Sequence, residues 1–276
     1  MSPLTLTSTV RLSTGYTMPR LGFGVFQNHD AEPSCLEAFK AVYRHIDSAQ
    51  MYRNEAAVGQ AVAESGIKRE DLFITTKCAS RDHGYQSTVK GVDRSLSAFG
   101  FDYVDLFLIH DPLSGTKRRL ETHKALLEAK AAGKIRSVGV SNYNVHHLEE
   151  IASAGYEAPS VNQIELHPFC QQKPIVDYCQ KHGIVVQAYC PIVRGRMEHR
   201  TIAALATKYK RDPAQVLIRW SLQKGFVPLP KSATPSRIHS NANLYDFELT
   251  DEEMAALDAL DRGKDGAISW NPVDAS

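Results

Sequence analysis

The chain has 276 residues, of which 43% are hydrophobic and 23% are charged, and its formal net charge is +1. This composition is that of an ordinary globular protein, and the near-neutral charge argues against nucleic acid or a membrane as a partner. No apolar run approaches the length of about 18 residues that a membrane span needs. Five scattered cysteines without a CxxC pair predict free thiols in a reducing compartment. We therefore expect a soluble, cytoplasmic protein.

Short apolar, β-branched runs alternate with amphipathic stretches from one end of the chain to the other. Such runs predict strands at 20–25, 44–47, 71–77, 103–110, 136–142, 159–165, 184–189 and 225–230. Helical patterns follow these strands at 31–42, 53–65, 87–99, 119–132, 145–154, 173–182, 213–223 and 235–243. Two extra helices are predicted at 198–209 and 250–260.

Eight strand-then-helix units predict an α/β fold, a closed (β/α)8 TIM barrel. A small β-hairpin around STGYT, within residues 1–20, would cap the bottom of this barrel. The alternative is an open, doubly wound sheet, which needs a glycine-rich phosphate turn to bind a dinucleotide. The early candidate for such a turn, Gly22-Phe-Gly24, lacks the third glycine. Because the chain has no linker or repeat, we expect one domain over 1–276.

Polar residues stand where three of the predicted strands end. Asp47 ends RHID, Lys77 ends DLFITTK and His110 ends YVDLFLIH, and Tyr52 follows Asp47 by five residues. Taken alone, each has a structural explanation, as a surface ion pair or a hydrogen-bonded core histidine. In a parallel barrel, however, the carboxyl ends of all strands meet on one face. The sequence therefore predicts that these residues share a catalytic site.

Motifs along most of the chain, from about residue 20 to residue 250, resemble those of the aldo-keto reductase family. Five motifs follow the family's order and approximate spacing: H-I-D-S-A-x-x-Y, I-T-T-K, L-I-H, G-V-S-N-Y and L-P-K-S-A-T-P-S-R-I. The resemblance implies an NADPH-dependent enzyme that reduces a small-molecule aldehyde or ketone to an alcohol. It also implies a monomer and a mechanism that requires no metal.

The family's mechanism assigns a role to each residue of the predicted site. Tyr52 would be the proton donor, although a tyrosine with a reference pKa of about 10 is a poor acid near neutrality. A buried Lys77 ammonium would favour the phenolate and lower that pKa. Asp47 would pair with Lys77 and keep it charged. His110 would donate a hydrogen bond that orients the carbonyl and supports charge on its oxygen.

The resemblance also implies a set of cofactor-binding residues. Ser141, Asn142 and Gln163 match positions that hold the nicotinamide carboxamide, and Tyr189 matches an aromatic residue that stacks on the ring. A tyrosine packed in the core is the alternative for Tyr189. The remaining predicted cofactor contacts are Gly24, Phe26, Asp47 and Asn241.

The segment LPKSATPSR predicts a phosphate site. Lys231, Ser232, Thr234 and Arg237 place two cations and two hydroxyls at the start of a short helix. Helix N-termini and arginine forks bind phosphate monoesters well, so the 2′-phosphate of NADPH would be the ligand and NADPH would be preferred over NADH. The family often has an acidic residue before Asn241 to hold the adenine amino group, and this chain has Ser240 there.

The predicted substrate pocket departs from the family. Relatives commonly have tryptophans where this chain has Phe26, Ala79 and Asp111. The pocket, formed also by Tyr52 and His110, should therefore be roomy and polar, with a replacement wall from Trp270 unless that tryptophan only packs or is exposed. We expect bulky neutral ketones, ketoesters or dicarbonyls as substrates, with Asp111 repelling anionic ones.

Two rival functions remain open at this stage. One is a non-catalytic NADPH-binding subunit on the same barrel, because a fold alone does not assign a function. The presence of all the predicted catalytic residues argues against it. The other is a barrel hydrolase or isomerase that uses Asp47 and His110, which would leave KSATPSR without a role.

Overall fold

The computed structural model describes residues 4–276. A two-stranded antiparallel hairpin comes first, with β1 at Thr9–Arg11 and β2 at Thr17–Pro19. The eight parallel strands are β3 (Phe23–Gly24), β4 (His45–Asp47), β5 (Phe73–Cys78), β6 (Val104–Ile109), β7 (Ile135–Ser141), β8 (Val161–Glu165), β9 (Val185–Tyr189) and β10 (Val227–Pro228). The α-helices are α1 (Ala31–Lys40), α2 (Glu55–Glu64), α3 (Tyr85–Phe99), α4 (Thr116–Ala131), α5 (Val145–Ser153), α6 (Lys173–Lys181), α7 (Arg200–Tyr209), α8 (Pro213–Gln223), α9 (Pro235–Ala242) and α10 (Asp251–Asp258).

The parallel strands form a closed barrel. Each strand from β3 to β10 pairs with the next one along the chain. Two backbone hydrogen bonds join the ends of this series, from Gly22 N to Pro228 O at 3.1 Å and from Gly24 N to Pro230 O at 3.0 Å. The predicted (β/α)8 barrel is therefore confirmed, with α7 and α10 as its extra helices, and the open doubly wound sheet is excluded.

The N-terminal hairpin closes the end of the barrel at which the strands begin. Leu12 and Met18 are buried in a small cluster inside the barrel, packed against Phe73, Leu106, Leu108, Val161 and Val227. The turn of the hairpin is held by the hydroxyls of Thr14 and Ser137, which lie 2.7 Å apart. Since this end is plugged, the carboxyl ends of the strands line the end that carries the large cavity described below.

Local sequence signals fix where the helices begin and end. Asp212 precedes α8, its backbone N–H donates to Gln215 Oε1 at 2.9 Å, and Pro213 opens the helix, where its missing N–H costs nothing. Gly133 and Gly183 follow α4 and α6 with φ of 77° and 69°, a conformation that glycine adopts without steric cost. The sequence signals AAGK and KHG predicted these two helix ends.

None of the five cysteines is paired in a disulfide. Within the described part of the chain, no helix combines the length and the apolar character that crossing a membrane requires.

The hairpin plug predicts where a core mutation costs stability without changing the catalytic end. Leu12→Ala should lower the free energy of unfolding by about 2–5 kcal/mol, because it leaves a cavity among the buried side chains of the barrel floor. Denaturant titration followed by circular dichroism measures this loss. Thr17→Ala, on the exposed face of β2, is the matched control and should change stability little. Equal losses for both variants would mean that the plug does not support the barrel.

Candidate active site

The four residues predicted to be catalytic meet at the carboxyl ends of neighbouring strands. Asp47 is the last residue of β4, Lys77 lies near the end of β5, and His110 follows β6 directly. Tyr52 belongs to a short 3-10 turn, Gln50–Tyr52, in the loop after β4. Asp47, Tyr52 and His110 line a cavity of about 960 Å³ at this end of the barrel.

The buried ammonium of Lys77 is the centre of the site. Its Nζ donates to Asp47 Oδ1 at 2.5 Å, to the carbonyl oxygen of Ser48 at 2.8 Å and to Tyr52 Oη at 3.3 Å. Burial by itself lowers the pKa of Lys77, but Asp47 and Tyr52 outweigh burial and the net shift is upward. Lys77 is therefore charged at neutral pH, and each of its donors has an acceptor.

Tyr52 lines the cavity, and its hydroxyl contacts the Lys77 ammonium. An ammonium can only donate, so the Tyr52 oxygen accepts from Lys77 and its own proton is free. Burial raises the pKa of Tyr52, and Lys77 reduces this rise without cancelling it. Lys77 lowers the pKa of Tyr52 as expected, but burial outweighs this effect, so the net shift of the pKa is upward. The result is a fully protonated hydroxyl at neutral pH.

His110 is held neutral beside Tyr52. Burial, followed by the charges of Lys77 and His83, lowers the pKa of His110 well below its usual value. Its Nδ1 is buried against the protein without a partner among the described residues, which leaves Nε2 for the cavity. The rings of Tyr52 and His110 stand nearly perpendicular with centroids 5.7 Å apart. A neutral imidazole can donate one hydrogen bond, so Tyr52 and His110 together can address one oxygen.

A cluster of amides and hydroxyls lies next to these residues at the ends of β7, β8 and β9. Gln163 Nε2 donates to Asp47 Oδ2 and to Gln187 Oε1, both at 2.8 Å. Tyr189 Oη lies 2.9 Å from Asn142 Oδ1. Ser141, Asn142, Gln163 and Tyr189 all line the cavity, so the structure places them where a planar amide could bind. The link from Gln163 to Asp47 joins this cluster to Lys77.

At the far end of the cavity, two cations flank the start of α9. Lys231, Ser232, Thr234, Arg237 and Asn241 all line the cavity there. Ser232 Oγ accepts from the backbone N–H of Thr234 at 3.0 Å, which shapes the entry into the helix. Within residues 4–276, neither Lys231 nor Arg237 takes part in an ion pair, so both charges are available to a ligand. The donor set fits a phosphate group.

Gly24 lies between the two ends of this cavity. A Cβ at Gly24 would lie 3.3 Å from the carbonyl oxygen of Leu229 and 3.8 Å from Lys231 Cβ. A side chain here would therefore crowd the segment that follows β10, at a point where Gly24 lines the cavity.

Apolar side chains surround the opening above Tyr52 and His110. Phe26 is exposed and its ring centroid lies 4.9 Å from that of Tyr52. Trp270 lines the same cavity, with its ring centroid 6.4 Å from His110. Met51 also belongs to this wall. It was not predicted from the sequence because it is part of no motif.

The placement expected for Ala79 and Asp111 is wrong. Both are buried, and neither lines the cavity. The Asp111 carboxylate accepts the backbone N–H of Leu113 at 3.0 Å, and so it caps the turn that leaves β6. Asp111 is therefore a buried cap of this turn and does not belong to the wall of the cavity.

One further contact spans the mouth of the cavity. Arg194 Nη2 donates to Gln27 Oε1 at 2.8 Å, which joins the loop after β9 to the loop after β3. Both residues line the cavity. They are 167 positions apart and belong to no motif, so no sequence signal points to the pair.

Among residues 4–276, no group of three or more His, Cys, Asp or Glu side chains is arranged to hold a metal ion.

Comparisons with known proteins agree with this geometry. A sequence model described as the Aldo/keto reductase family matches residues 12–262. Glyoxal reductase of Bacillus subtilis is 42% identical over 274 residues, covering 98% of each chain. An aldo/keto reductase structure from Brucella melitensis is 42% identical with a TM-score of 0.90, covering 94% of this chain and 100% of that one. A Bombyx mori aldo-keto reductase solved in complex with NADP is 35% identical with a TM-score of 0.88, covering 94% of both chains. The chain belongs to the aldo/keto reductase family.

Proposed function

We propose that this protein reduces an aldehyde or ketone to an alcohol with NADPH, and that Tyr52 is the proton donor. The observation that carries the proposal is the contact between Tyr52 Oη and the buried Lys77 ammonium, 3.3 Å apart, beside the cavity. The Bombyx mori relative was solved with NADP, which supports a nicotinamide cofactor. The unpaired cations at the start of α9 support the phosphorylated form.

Each residue of the site has its own role in the proposed reduction. Bound NADPH would supply the hydride that adds to the carbonyl carbon. Tyr52 gives its hydroxyl proton to the carbonyl oxygen, and Lys77 stabilises the phenolate that remains, because its ammonium already contacts that oxygen. His110 donates from Nε2 to the same carbonyl oxygen and fixes its orientation. Asp47 keeps Lys77 charged and in place through the bond at 2.5 Å.

The cofactor residues fit an extended NADPH. Asn142, Gln163 and Ser141 would hold the carboxamide, and Tyr189 would stack on the nicotinamide ring. Gly24, Phe26 and Asp47, which also line the cavity, would make further contacts with the cofactor. There Lys231, Ser232, Thr234 and Arg237 would bind the 2′-phosphate, with Asn241 beside the adenine. Two unpaired cations favour a dianionic phosphate over the neutral hydroxyl of NADH.

The substrate class follows from the walls above Tyr52. Phe26, Met51 and Trp270 are apolar, so they offer no counter-ion to a substrate carboxylate. Arg194 also lines the cavity and keeps its charge, since Gln27 is neutral, so the proposal places the substrate against the apolar walls and not against this guanidinium. Desolvating an unpaired carboxylate is unfavourable, whereas a bulky neutral group gains from apolar contact. We therefore propose neutral ketones, ketoesters or dicarbonyls as substrates.

The first test is Tyr52→Phe. This variant should keep NADPH binding and lose turnover by about 10²–10⁴-fold, since a general acid typically contributes that much. NADPH oxidation with a nitrobenzaldehyde measures it, and Tyr85→Phe, on the outer surface of α3, is the matched control. Near-full activity of Tyr52→Phe would contradict the assignment. NADPH binding by the wild type without turnover of any carbonyl would instead identify a non-catalytic NADPH-binding subunit.

The second test concerns the cofactor phosphate. Lys231→Ala or Arg237→Ala should weaken NADPH binding by roughly ten- to a hundred-fold, since a charge-assisted contact is lost, and should leave NADH binding almost unchanged. Fluorescence titration of each cofactor gives the affinities. Lys181→Ala, at the exposed end of α6, is the control for a change of net charge. A wild type that binds both cofactors equally would show that the cations only face solvent.

The third test concerns the substrate. An ethyl ketoester should be preferred over the matching free keto acid by at least roughly tenfold in kcat/KM, the cost of one unpaired buried charge contact. Met51→Arg should narrow this ratio, because it supplies a counter-ion beside Tyr52. Asp111→Asn should leave the ratio unchanged, since Asp111 is buried and does not line the cavity. A preference for the acid in the wild type would refute the proposed apolar walls.

A further inference from the structure

Glu165, the last residue of β8, has no role in the mechanism above, and yet it is completely buried. Its Oε1 accepts the backbone N–H of Ile268 at 2.6 Å, and its Oε2 accepts that of Ser269 at 3.1 Å. His167, also completely buried, contacts Oε1 through Nε2 at 3.0 Å. A carboxylate from the barrel therefore holds the two residues that directly precede Trp270.

The segment that carries Trp270 is also bound to the barrel at its end, where Arg119 donates to the Ser276 carbonyl oxygen at 2.9 Å and where His146 and His147 contact the Ala275 carbonyl oxygen at 3.0 Å and 2.8 Å. We call residues 263–276 the C-terminal strap. It contains a single short 3-10 turn, Gly263–Gly266, and no strand. Gly266 packs directly on the Phe169 carbonyl, where an added Cβ would lie only 1.6 Å from the oxygen. The carbonyl oxygen of Trp270 lies 2.8 Å from Tyr189 Oη.

Packing of the indole itself does not fix the position of Trp270. Its side chain is 49% exposed, and its ring forms one wall of the opening above His110. A half-exposed ring on a strap without regular structure takes its position from the directional contacts of the backbone. Hydrogen bonds from N–H groups to a buried, ionised acceptor are shorter and stronger than neutral ones. Glu165 makes two of these, one on each oxygen.

We propose that Glu165 is a positioning residue for the substrate site, which sets the place of the Trp270 wall by holding the strap, with His167 orienting the carboxylate. This inference rests on the proposed carbonyl reductase function. If Glu165 only stabilised the fold, replacing it would lower the activity with all substrates to the same extent. A positioning Glu165 affects substrates whose bulky group reaches Trp270 and spares small aldehydes, which need only Tyr52 and His110.

The position of the strap can be measured without any turnover. The chain has two tryptophans, and Trp220 is completely buried, so acrylamide quenching of the emission reports Trp270. Glu165→Gln keeps the size of the side chain but replaces one acceptor oxygen by a donor, so we expect a steeper quenching slope. Glu165→Asp keeps the charge on a shorter side chain and should fall between Glu165→Gln and the wild type.

A matched control exists at the other end of the barrel. Asp105 is also a buried carboxylate. It accepts a hydrogen bond from the backbone N–H of Ile74 at 2.9 Å, and it forms ion pairs with Arg69 and Arg136. Asp105→Asn should lower the melting temperature without changing the quenching slope. A slope that is unchanged in both Glu165 variants, or that changes equally in Asp105→Asn, overturns the inference whatever the protein catalyses.

The kinetic test separates positioning from structure. Glu165→Gln should lower kcat/KM for a bulky ketoester by roughly tenfold, the effect of one charge-assisted hydrogen bond, mainly through KM. A small aldehyde should be turned over as in the wild type. Combined with Trp270→Ala, Glu165→Gln should add no further loss for the ketoester, since its effect passes through that ring. Additive losses, or equal losses for both substrates, refute the inference. If the protein turned over no carbonyl at all, the proposed function would be refuted, and the quenching result alone would decide whether Glu165 positions Trp270.

Discussion

The structure is organised around one buried charge, the ammonium of Lys77 inside the barrel. A buried ammonium without partners is strongly unfavourable, and three oxygens from the end of β4 and the loop after it surround this one. Asp47 is in turn held by Gln163, which bonds to Gln187. Gln187 reaches Met18 Sδ in the hairpin at 3.1 Å. A line of hydrogen bonds thus runs through the barrel from the plugged end to the cavity.

This arrangement explains how a barrel with an apolar floor carries polar chemistry at its open end. The lower interior is filled by aliphatic and aromatic side chains around Leu12 and Met18. Above them, the amides and charges satisfy one another, so that the cost of burying them is limited. The Tyr52 hydroxyl and His110 face the cavity, together with the amide cluster and the cations at α9.

Most of the fold was predictable from the sequence, since apolar runs mark the barrel strands and amphipathic stretches mark most of the helices between them. The strand ends likewise predicted which residues meet, because a parallel barrel brings them to one face. The errors at Asp111 and Tyr52 have physical causes. Asp111 was assigned to the pocket from its place after β6, but the backbone N–H of Leu113 takes its carboxylate. The pKa of Tyr52 depends on how deeply the ring is buried, which the Lys77 motif does not reveal.

Contacts between distant segments were beyond the reach of sequence reasoning. Gln27 with Arg194, and Glu165 with Ile268 and Ser269, join parts of the chain that share no pattern. Met51 was missed for a related reason, since an exposed methionine in a loop looks like any other surface residue. Such contacts depend on how the loops cross above the barrel, which the periodicity of strands and helices does not specify.

The position of Trp270 has a consequence for how this enzyme could diversify. The barrel core is formed by strands and helices in which a substitution removes well-packed neighbours, whereas this wall is a half-exposed side chain on a strap outside those elements. Replacing it changes the shape of the pocket and removes little buried area, so the stability of the fold hardly constrains which residue stands there. The shape of the pocket can therefore drift under selection while the Lys77 cluster and the barrel stay as they are.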